Sequence, residues 1–582
     1  MDKHKNLQEF ISETKLCLES DNYEAALDIL LQAIKIFPKE VSLVINIGNI
    51  HKYRGRPRQA ENYYKKALEI EESKEAYNNL SVLYLDANLI GLAISSSEKA
   101  IEIDSRYIDA RYNLALALQR DGQYEKAIEH VKYILDINGN HQKALLSLFN
   151  LYQHTCNWAE ISAIENKLDS MIGNGEEHPF MGVSRTENLE KNYKIATSYA
   201  QRNITPMKQT ITPQFIGGGM DSGERNEDKI KVGYLCGEFR DHPTYHLTKN
   251  LFKSHNSSTF DIYLFSFRHD EQIKNELKDN VFKFIDITDL TDTSAAEIIK
   301  SFKLDILIDL SVVISSNRIN ILKDKPAKNI ISYLGFPGTS GYSFYDYIIT
   351  DEIVSPNDHQ IYYTEKFLHL PGCYQVNDGV SDLSKTSKTR EMYSLPNNAI
   401  VLACFNQSYK LDASTFECWI EILKEIPNAY IWLLYDNVLA RENLLKFACT
   451  RNIKSDRIIF AEKVHRKEHL DRLKLADLVL DTRIYNGHTT TTDALKVGVP
   501  VVTKTGEHFA SRVTTSLLQS LGLHELCCSD MLSYKKKVIE LCTDYDKKNK
   551  VLTKLTEQNK FAEIHDNTVF TEKLESALLK IL

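Results

Sequence analysis

Leu480-Asp481-Thr482-Arg483-Ile484-Tyr485-Asn486-Gly487-His488-Thr489-Thr490-Thr491-Thr492-Asp493-Ala494-Leu495-Lys496-Val497-Gly498-Val499-Pro500-Val501-Val502-Thr503-Lys504 is the stretch whose reading decides the fold. An apolar run, 478–480, stops at Asp481, and a second begins at Val499, which predicts two buried parallel strands joined by a short helix. Asn486 and Gly487 make the turn out of the first strand. His488, four successive threonines and Asp493 then fall on the first turns of the helix, where unpaired backbone N–H groups and the positive dipole end attract anions. One threonine would serve as an ordinary cap. Four preceded by Gly-His exceed that need and suit a diphosphate, with Asp493 one turn in and directed toward a sugar attached to it.

Working outward from this stretch, alternating strands and helices extend from Lys229 to beyond residue 500. Strands are predicted at 231–236, 260–267, 304–310 and 328–334, with helices at 246–254 and 294–302. A second α/β unit starts near Ala399, with strands at 400–405, 429–434 and 457–460. The pattern is that of two doubly wound, Rossmann-like lobes. Loops after the strands carry chemistry: Gly237-Glu238-Phe239-Arg240-Asp241-His242, the glycine-rich 335–341, Asn406-Gln407-Ser408-Tyr409-Lys410, and Arg466 through Arg472 at a helix start. In the second lobe they offer an amide and a lysine, a His/Arg pair and an anion-binding helix end, which together describe a pocket for a nucleoside diphosphate.

The N-terminal part, to about residue 170, reads as helical throughout. Ala26, Ala60, Ala93 and Ala127 are spaced 34, 33 and 34 apart, and Ala33, Ala67 and Ala100 each lie seven residues after the first three. That is the tetratricopeptide period. About four repeats are clear and a weaker fifth runs through Trp158 and Ala159. Gly48, Ser81 and Ala115 mark the close contact on each first helix, and Asn46, Asn79 and Asn113 precede them by two residues. Equivalent positions on first helices line the concave groove of such arrays, so these amides form a ladder suited to the main chain of an extended peptide. The alternative is that each asparagine bonds a neighbouring repeat.

The chain has 582 residues, enough for three or four domains. A net charge of −8 gives no basic footprint for nucleic acid. No apolar run reaches the roughly 18 residues of a membrane span, and the first residues lack a signal-peptide core, so a cytoplasmic location is expected. Ten scattered cysteines without a C-x-x-C pair suggest reduced thiols, and no metal site is expected. The expected domains are repeats over 1–170, a helical linker over 171–228 with a glycine-rich connector at 217–223, an N-terminal lobe over 229–395, a C-terminal lobe over 396–545 and a helical tail over 546–582.

His242-Pro243-Thr244, Leu334-Gly335-Phe336-Pro337-Gly338-Thr339-Ser340-Gly341, 345–351, Phe405-Asn406-Gln407-Ser408-Tyr409-Lys410 and Asn486-Gly487-His488-Thr489-Thr490, in that order behind tetratricopeptide repeats, resemble the protein O-GlcNAc transferases. The resemblance implies a GT-B enzyme, inverting and metal-independent, moving N-acetylglucosamine from a UDP donor to Ser or Thr of proteins. No cofactor beyond the sugar nucleotide is implied, and the partner is a protein or peptide held in the repeat groove. The short spacer between the lobes, 371–396, is similar to that of bacterial members.

Residue by residue, the resemblance implies that Lys410 neutralises the departing diphosphate and that Gln407, His488, Thr489 and Thr490 bind it. Asp493 and Arg466 would contact ribose, and His469 with Arg472 would frame the uracil. Gly335 would line the sugar pocket, and His242 would stand near the sugar and the acceptor hydroxyl, orienting it or accepting its proton. Asp544-Tyr545-Asp546 looks like the metal-binding Asp-x-Asp of another transferase class but falls on a charged, helical segment and reads as a solvated face.

Two departures stand out. The strand at 304–310 runs into Ser311-Val312-Val313-Ile314-Ser315 where family members carry an Asn/Gly and His or Tyr turn. Tyr485 replaces a small residue near the donor's N-acetyl group, which leaves UDP-glucose, with an Asn or Ser/Thr acceptor, and GDP-fucose as alternative donors. A repeat scaffold with inactive lobes is the alternative outside enzymes.

Overall fold

A computed structural model describes residues 5–20, 22–204, 229–314, 317–377, 379, 388–561 and 563–582. The glycine-rich connector at 217–223 and part of the 371–396 spacer lie outside these residues. The chain forms two compact units, one ending at Leu151 and one containing Tyr152–Ile204 and the described residues from Lys229 on.

The first unit is a run of antiparallel helix pairs: Leu7–Glu19 with Tyr23–Ile36, Val41–Tyr53 with Pro57–Ile70, Lys74–Asp86 with Ile90–Ile103, and Ile108–Arg120 with Tyr124–Ile137. The repeating alanines cause this. Ala26, Ala60, Ala93 and Ala127 are fully buried, because only a methyl fits where paired helices approach. A Cβ at Gly48 would lie 2.5 Å from the Tyr64 ring, and Ser81 spends its hydroxyl on the Ala93 carbonyl, 3.0 Å, in the facing helix.

The amide ladder is partly spent within the unit. Asn79 Nδ2 donates to Asn49 Oδ1 at 2.9 Å and Asn113 Nδ2 to Asn78 Oδ1 at 2.8 Å. Asn79 and Asn113 thus each bond the preceding repeat, through a side-chain amide rather than the backbone. Each retains its carbonyl oxygen and a second N–H, since a primary amide has two donors.

In the second unit, seven strands run parallel among the described residues: β1 (Ile230–Cys236), β2 (Phe260–Ser266), β3 (Lys283–Asp286), β4 (Ile306–Asp309), β5 (Asn329–Ser332), β6 (Tyr347–Thr350) and β7 (Lys366–His369). Their order is β3-β2-β1-β4-β5-β6-β7. A second sheet has β8 (Ile400–Cys404), β9 (Ala429–Leu434), β10 (Ile458–Ala461), β11 (Leu478–Leu480), β12 (Val501–Lys504) and β13 (Cys527–Cys528) in the order β10-β9-β8-β11-β12-β13. Near-continuous apolar runs such as 400–404 and 478–480 are buried on both faces, as parallel strands covered by helices require. The strand order reverses between β1 and β4 in one sheet and between β8 and β11 in the other, and ligands bind beyond the carboxyl ends of strands at such points.

Three expectations need correction. The helix expected at 246–254 is two short ones, Pro243–Thr248 and Leu251–Ser254, the first capped by His242. Strands β3 (Lys283–Asp286), β6 (Tyr347–Thr350), β7 (Lys366–His369) and β13 (Cys527–Cys528) add to the expected ones. The expected fifth helix pair is present, Gln142–His154 with Trp158–Ser170, but its second helix and the linker after it pack on the lobes. Trp158 Nε1 donates to the Leu411 carbonyl at 3.2 Å, and its ring packs on Phe416 and Phe447. His508 Nε2 pairs with the Val183 carbonyl at 2.9 Å, and Lys504 with Glu187 at 3.0 Å. Residues 152–204 therefore form a helical belt on the lobes.

The tail, Tyr545–Phe561 and Asn567–Leu579, follows its expectation of helices. Glu575 on its last helix accepts from His255 Nδ1, 2.9 Å, and from the Asn256 N–H, 2.8 Å, in the N-terminal lobe.

Candidate active site

The loops at the two reversal points meet in a cleft of about 900 Å³. His242, Gln407, Lys410, Arg466, His469, Arg472, His488, Thr489, Thr490 and Asp493 all line it. Residues as far apart in sequence as His242 and Asp493 converge there because they sit just past the carboxyl end of a strand or on the short helix that follows.

The helix Thr489–Lys496 begins with His488 as N-cap, and no side chain bonds its first-turn N–H groups. Those groups and the dipole present a positive end to the cleft. The helix start is fixed from behind. Thr490 Oγ1 donates to Asn406 Oδ1 at 2.7 Å, and Asn406 Nδ2 donates to Thr482 Oγ1 at 3.0 Å. Gln375 Nε2 reaches Thr492 Oγ1 at 2.7 Å. Asn406 and Gln375, which the sequence reading passed over, are thus what align the helix end. A buried amide beside an anion-binding turn was the available signal for Asn406.

Lys410 Nζ donates to the Asn486 carbonyl at 2.9 Å and lies 4.0 Å from the centre of the Tyr485 ring. Burial pushes its pKa down to about 8, against an opposing pull from the Asp481 carboxylate. The loop that carries it rests on the belt: Ser408 Oγ donates to the His154 carbonyl at 2.7 Å, and Phe180 packs on Tyr409 and Tyr485. Tyr485 is a wall of aromatic carbon beneath the lysine, 5.0 Å between ring centres from His488.

Asp493 accepts from Arg466 Nη2 at 2.8 Å; burial raises its carboxyl to about 6, with the guanidinium pulling the other way. His488 is held well below the usual imidazole range by burial and then by Lys410, so it is neutral. Burial, and then Arg472, push His469 down to about 4, and its ring stands edge-on to Phe405. Arg472 differs from its expected part. Its side chain is 2 % exposed, Nη1 donates to the Glu462 carbonyl at 2.6 Å, and Nη2 lies 3.3 Å from His469 Nδ1. Its guanidinium is thus spent on the Glu462 carbonyl and on His469. Arg472→Lys is expected to cost about 1–3 kcal/mol of stability, since one ammonium cannot replace the guanidinium fork. Denaturant unfolding measures that loss, and nucleotide affinity should fall with it.

His242 Nδ1 accepts from the Thr244 N–H at 3.3 Å. Burial lowers the ring's pKa, so the neutral form prevails with its proton on Nε2. His242 is therefore a hydrogen-bond donor to the cleft. Gly335 is placed elsewhere than expected. It is not among the residues lining the cleft, and an added Cβ would lie 2.4 Å from the Leu310 carbonyl oxygen. Its glycine serves the close packing of the loops after β4 and β5. The changed turn after β4 is tied down instead by Tyr345 Oη on Asp309, 2.6 Å, and by Ser311 Oγ on the Gly237 N–H, 3.2 Å. Among the described residues no group of three or more His, Cys, Asp or Glu is placed to hold a metal, and Asp544-Tyr545-Asp546 lies at a helix junction with Tyr545 exposed.

Two facing Rossmann-like lobes with a positive helix end, a buried lysine and a neutral histidine in the cleft between them make up a GT-B architecture. The chain belongs to glycosyl transferase family 41, whose model matches residues 190–385 and 383–574. Tetratricopeptide models match 41–74, 74–107 and 97–129. An Arabidopsis thaliana protein named probable UDP-N-acetylglucosamine--peptide N-acetylglucosaminyltransferase SEC is 30% identical over 75% of this chain and 46% of its own length. The Caenorhabditis elegans UDP-N-acetylglucosamine--peptide N-acetylglucosaminyltransferase is 27% identical over 55% and 38%. The chain thus spans about half or less of the length of these relatives. A mutant of Thermobaculum terrenum O-GlcNAc transferase superposes with a TM-score of 0.66 at 22% identity, covering 93% of this chain and 98% of that one, which bears out the fold. Among the described residues no helix is long and apolar enough to cross a membrane.

Proposed function

We propose that the protein transfers N-acetylglucosamine from UDP-N-acetylglucosamine to Ser or Thr hydroxyls of proteins, with inversion and without a metal. The observation that carries this reading is that one cleft gathers Lys410 and the open first turn of the Thr489–Lys496 helix. Negative charge grows on the diphosphate as the bond from sugar C1 to phosphate oxygen breaks. Fixed donors and a cation aimed at that charge lower the barrier most. Lys410, Gln407, Thr489, Thr490 and the helix N–H groups supply them. Arg466 and Asp493, held together, meet the ribose, and His469 meets the uracil.

The acceptor hydroxyl attacks C1 from the face opposite UDP, which leaves with the bonding electron pair. His242, with Nε2 already protonated, orients the sugar or the hydroxyl and does not take its proton; that proton passes to a donor phosphate oxygen or to water. The acceptor's main chain is held by the remaining amide groups of Asn46, Asn79 and Asn113. The names of the relatives support both donor and acceptor class. The reaction is placed in the cytoplasm, which suits ten cysteines that are all free thiols.

The test incubates the purified protein and an acceptor protein with UDP-N-acetylglucosamine, UDP-glucose or GDP-fucose, with and without EDTA. UDP release and a gain of one N-acetylhexosamine in intact mass, unchanged by EDTA, are expected with the first donor. Transfer of hexose or deoxyhexose instead, or loss of turnover with EDTA, would overturn the reading.

A further inference from the structure

Asp481, at the tip of β11, is a buried carboxylate that the mechanism above does not use. Its side chain receives three hydrogen bonds: Oδ1 accepts from the Gly487 N–H at 2.7 Å and the Thr482 N–H at 2.9 Å, and Oδ2 accepts from Thr503 Oγ1 at 2.7 Å. The residue is 3 % exposed. The Gly487 N–H belongs to the same peptide unit as the Asn486 carbonyl, and that carbonyl accepts from Lys410 Nζ at 2.9 Å. A continuous line therefore runs from ammonium to carbonyl oxygen, across one planar peptide, and from its N–H to carboxylate. A peptide unit polarised from both ends bonds more strongly at each, and its planarity couples the position of one partner to the other.

We propose that Asp481 is the positioning residue for Lys410, holding the ammonium charged and in register with the helix start through the Asn486–Gly487 peptide. The inference rests on the role given to Lys410 above and deepens it. Removing the carboxylate would release both the cation and the turn that opens the Thr489–Lys496 helix, because His488 follows Gly487 directly.

The groups packed around the pair leave these two charges to answer each other. Cys404 at the end of β8 is a thiol raised by burial to about 12, so it stays protonated. His488, on the helix side, is neutral, and burial raises the Tyr485 and Tyr534 phenols far above neutrality. Thr503 on β12 is an uncharged donor to Oδ2, and the uncharged Thr514 donates to the Gly487 carbonyl. Burial raises Asp481 to about 6 and lowers Lys410 to about 8, so both are ionised between those values. Lys410 must be protonated to meet a diphosphate, so donor kcat/KM should fall as pH rises through about 8.

The experiment uses the full chain with Asp481→Asn and, as a milder change that keeps the fold, Thr503→Val, which removes one donor to Oδ2. Lys410 ionisation is read without donor, from the pH dependence of its labelling by an amine-selective reagent followed by mass spectrometry. The donor kcat/KM profile is measured in parallel. Lys410 in the Asp481→Asn variant should titrate lower by on the order of one pH unit, the alkaline limb of kcat/KM should move with it, and Thr503→Val should shift both less and in the same direction. Below about pH 6 the difference from the parent should shrink, as the parent's own carboxyl becomes neutral there. Unchanged Lys410 titration in the folded variants, or an equal loss of kcat/KM at every pH, would overturn the proposal. Should the titration shift while the parent protein transfers no sugar, the coupling stands and the donor reading falls.

Discussion

Lys410→Met should lower kcat/KM for the sugar nucleotide by about 10² to 10³, the range found when one preorganised donor to developing charge is removed. Methionine matches the lysine stem in length, so the side chain can still lie on Tyr485, 4.0 Å beneath the ammonium in the parent. The lost element is the charge and its bond to the Asn486 carbonyl. That charge is worth more here than at the surface, because burial already strains it: the ammonium is held near pKa 8, and a diphosphate beside it would restore the protonated form. Binding of UDP should weaken less than turnover slows, since charge on the diphosphate is greatest as the sugar departs. Steady-state UDP release and calorimetric titration with UDP separate the two. Equal turnover by the variant and the parent would remove Lys410 from the chemistry.

Gly487→Ala should weaken UDP binding by about a hundredfold with the fold retained, since misplacing a binding group by about 1 Å can cost that much. The Gly487 Cα faces the helix it precedes. An added Cβ would stand 2.5 Å from Thr490 Oγ1, 2.7 Å from Thr491 Oγ1 and 3.3 Å from Asn406 Oδ1. Thr490 is bonded to Asn406 and Thr491 to Thr514, at 2.9 Å, so neither hydroxyl can move without breaking its partner. The helix start must shift, and its N–H groups with it. Backbone dihedral freedom is not the reason for glycine here; room is. Calorimetry with UDP and a thermal melt check the two halves of the expectation, and unchanged affinity would show that the helix end does not hold the diphosphate.

Much of the candidate site was legible because its chemistry is local. Four threonines after Asn-Gly-His mark an open helix start whatever surrounds them. A polar loop after an apolar run marks a strand tip, so Gln407 and Lys410 could be picked out with no partner known. The alanine period identified the repeats because each helix pair repeats one contact at one spacing. Other residues were misjudged where a role depends on distant partners. Gly335 was read as an approach to a ligand and is filled by the Leu310 carbonyl. Arg472 was read as a base contact and is spent on the Glu462 carbonyl and His469. Trp158 does open the second helix of the expected fifth pair, Gln142–His154 with Trp158–Ser170, but its packing on Phe416 and Phe447, more than 250 residues away in the chain, had no local signal.

By itself, then, the sequence determined the repeat array, the two α/β lobes and the loops that carry the cleft, since periodicity, capping and strand-end loops are written in neighbouring residues. The roles of single side chains came from the family resemblance. Tertiary structure alone decided which groups meet. Asp481 and Lys410 are 71 positions apart and share one peptide unit between them. His242 becomes a donor through the N–H of Thr244 in a helix it caps. The belt at 152–204 stiffens the Lys410 loop through Ser408 on the His154 carbonyl, Trp158 on the Leu411 carbonyl and Phe180 on Tyr409. Hydrogen-bond pairing and burial are properties of contact across the fold, and no spacing along the chain encodes them.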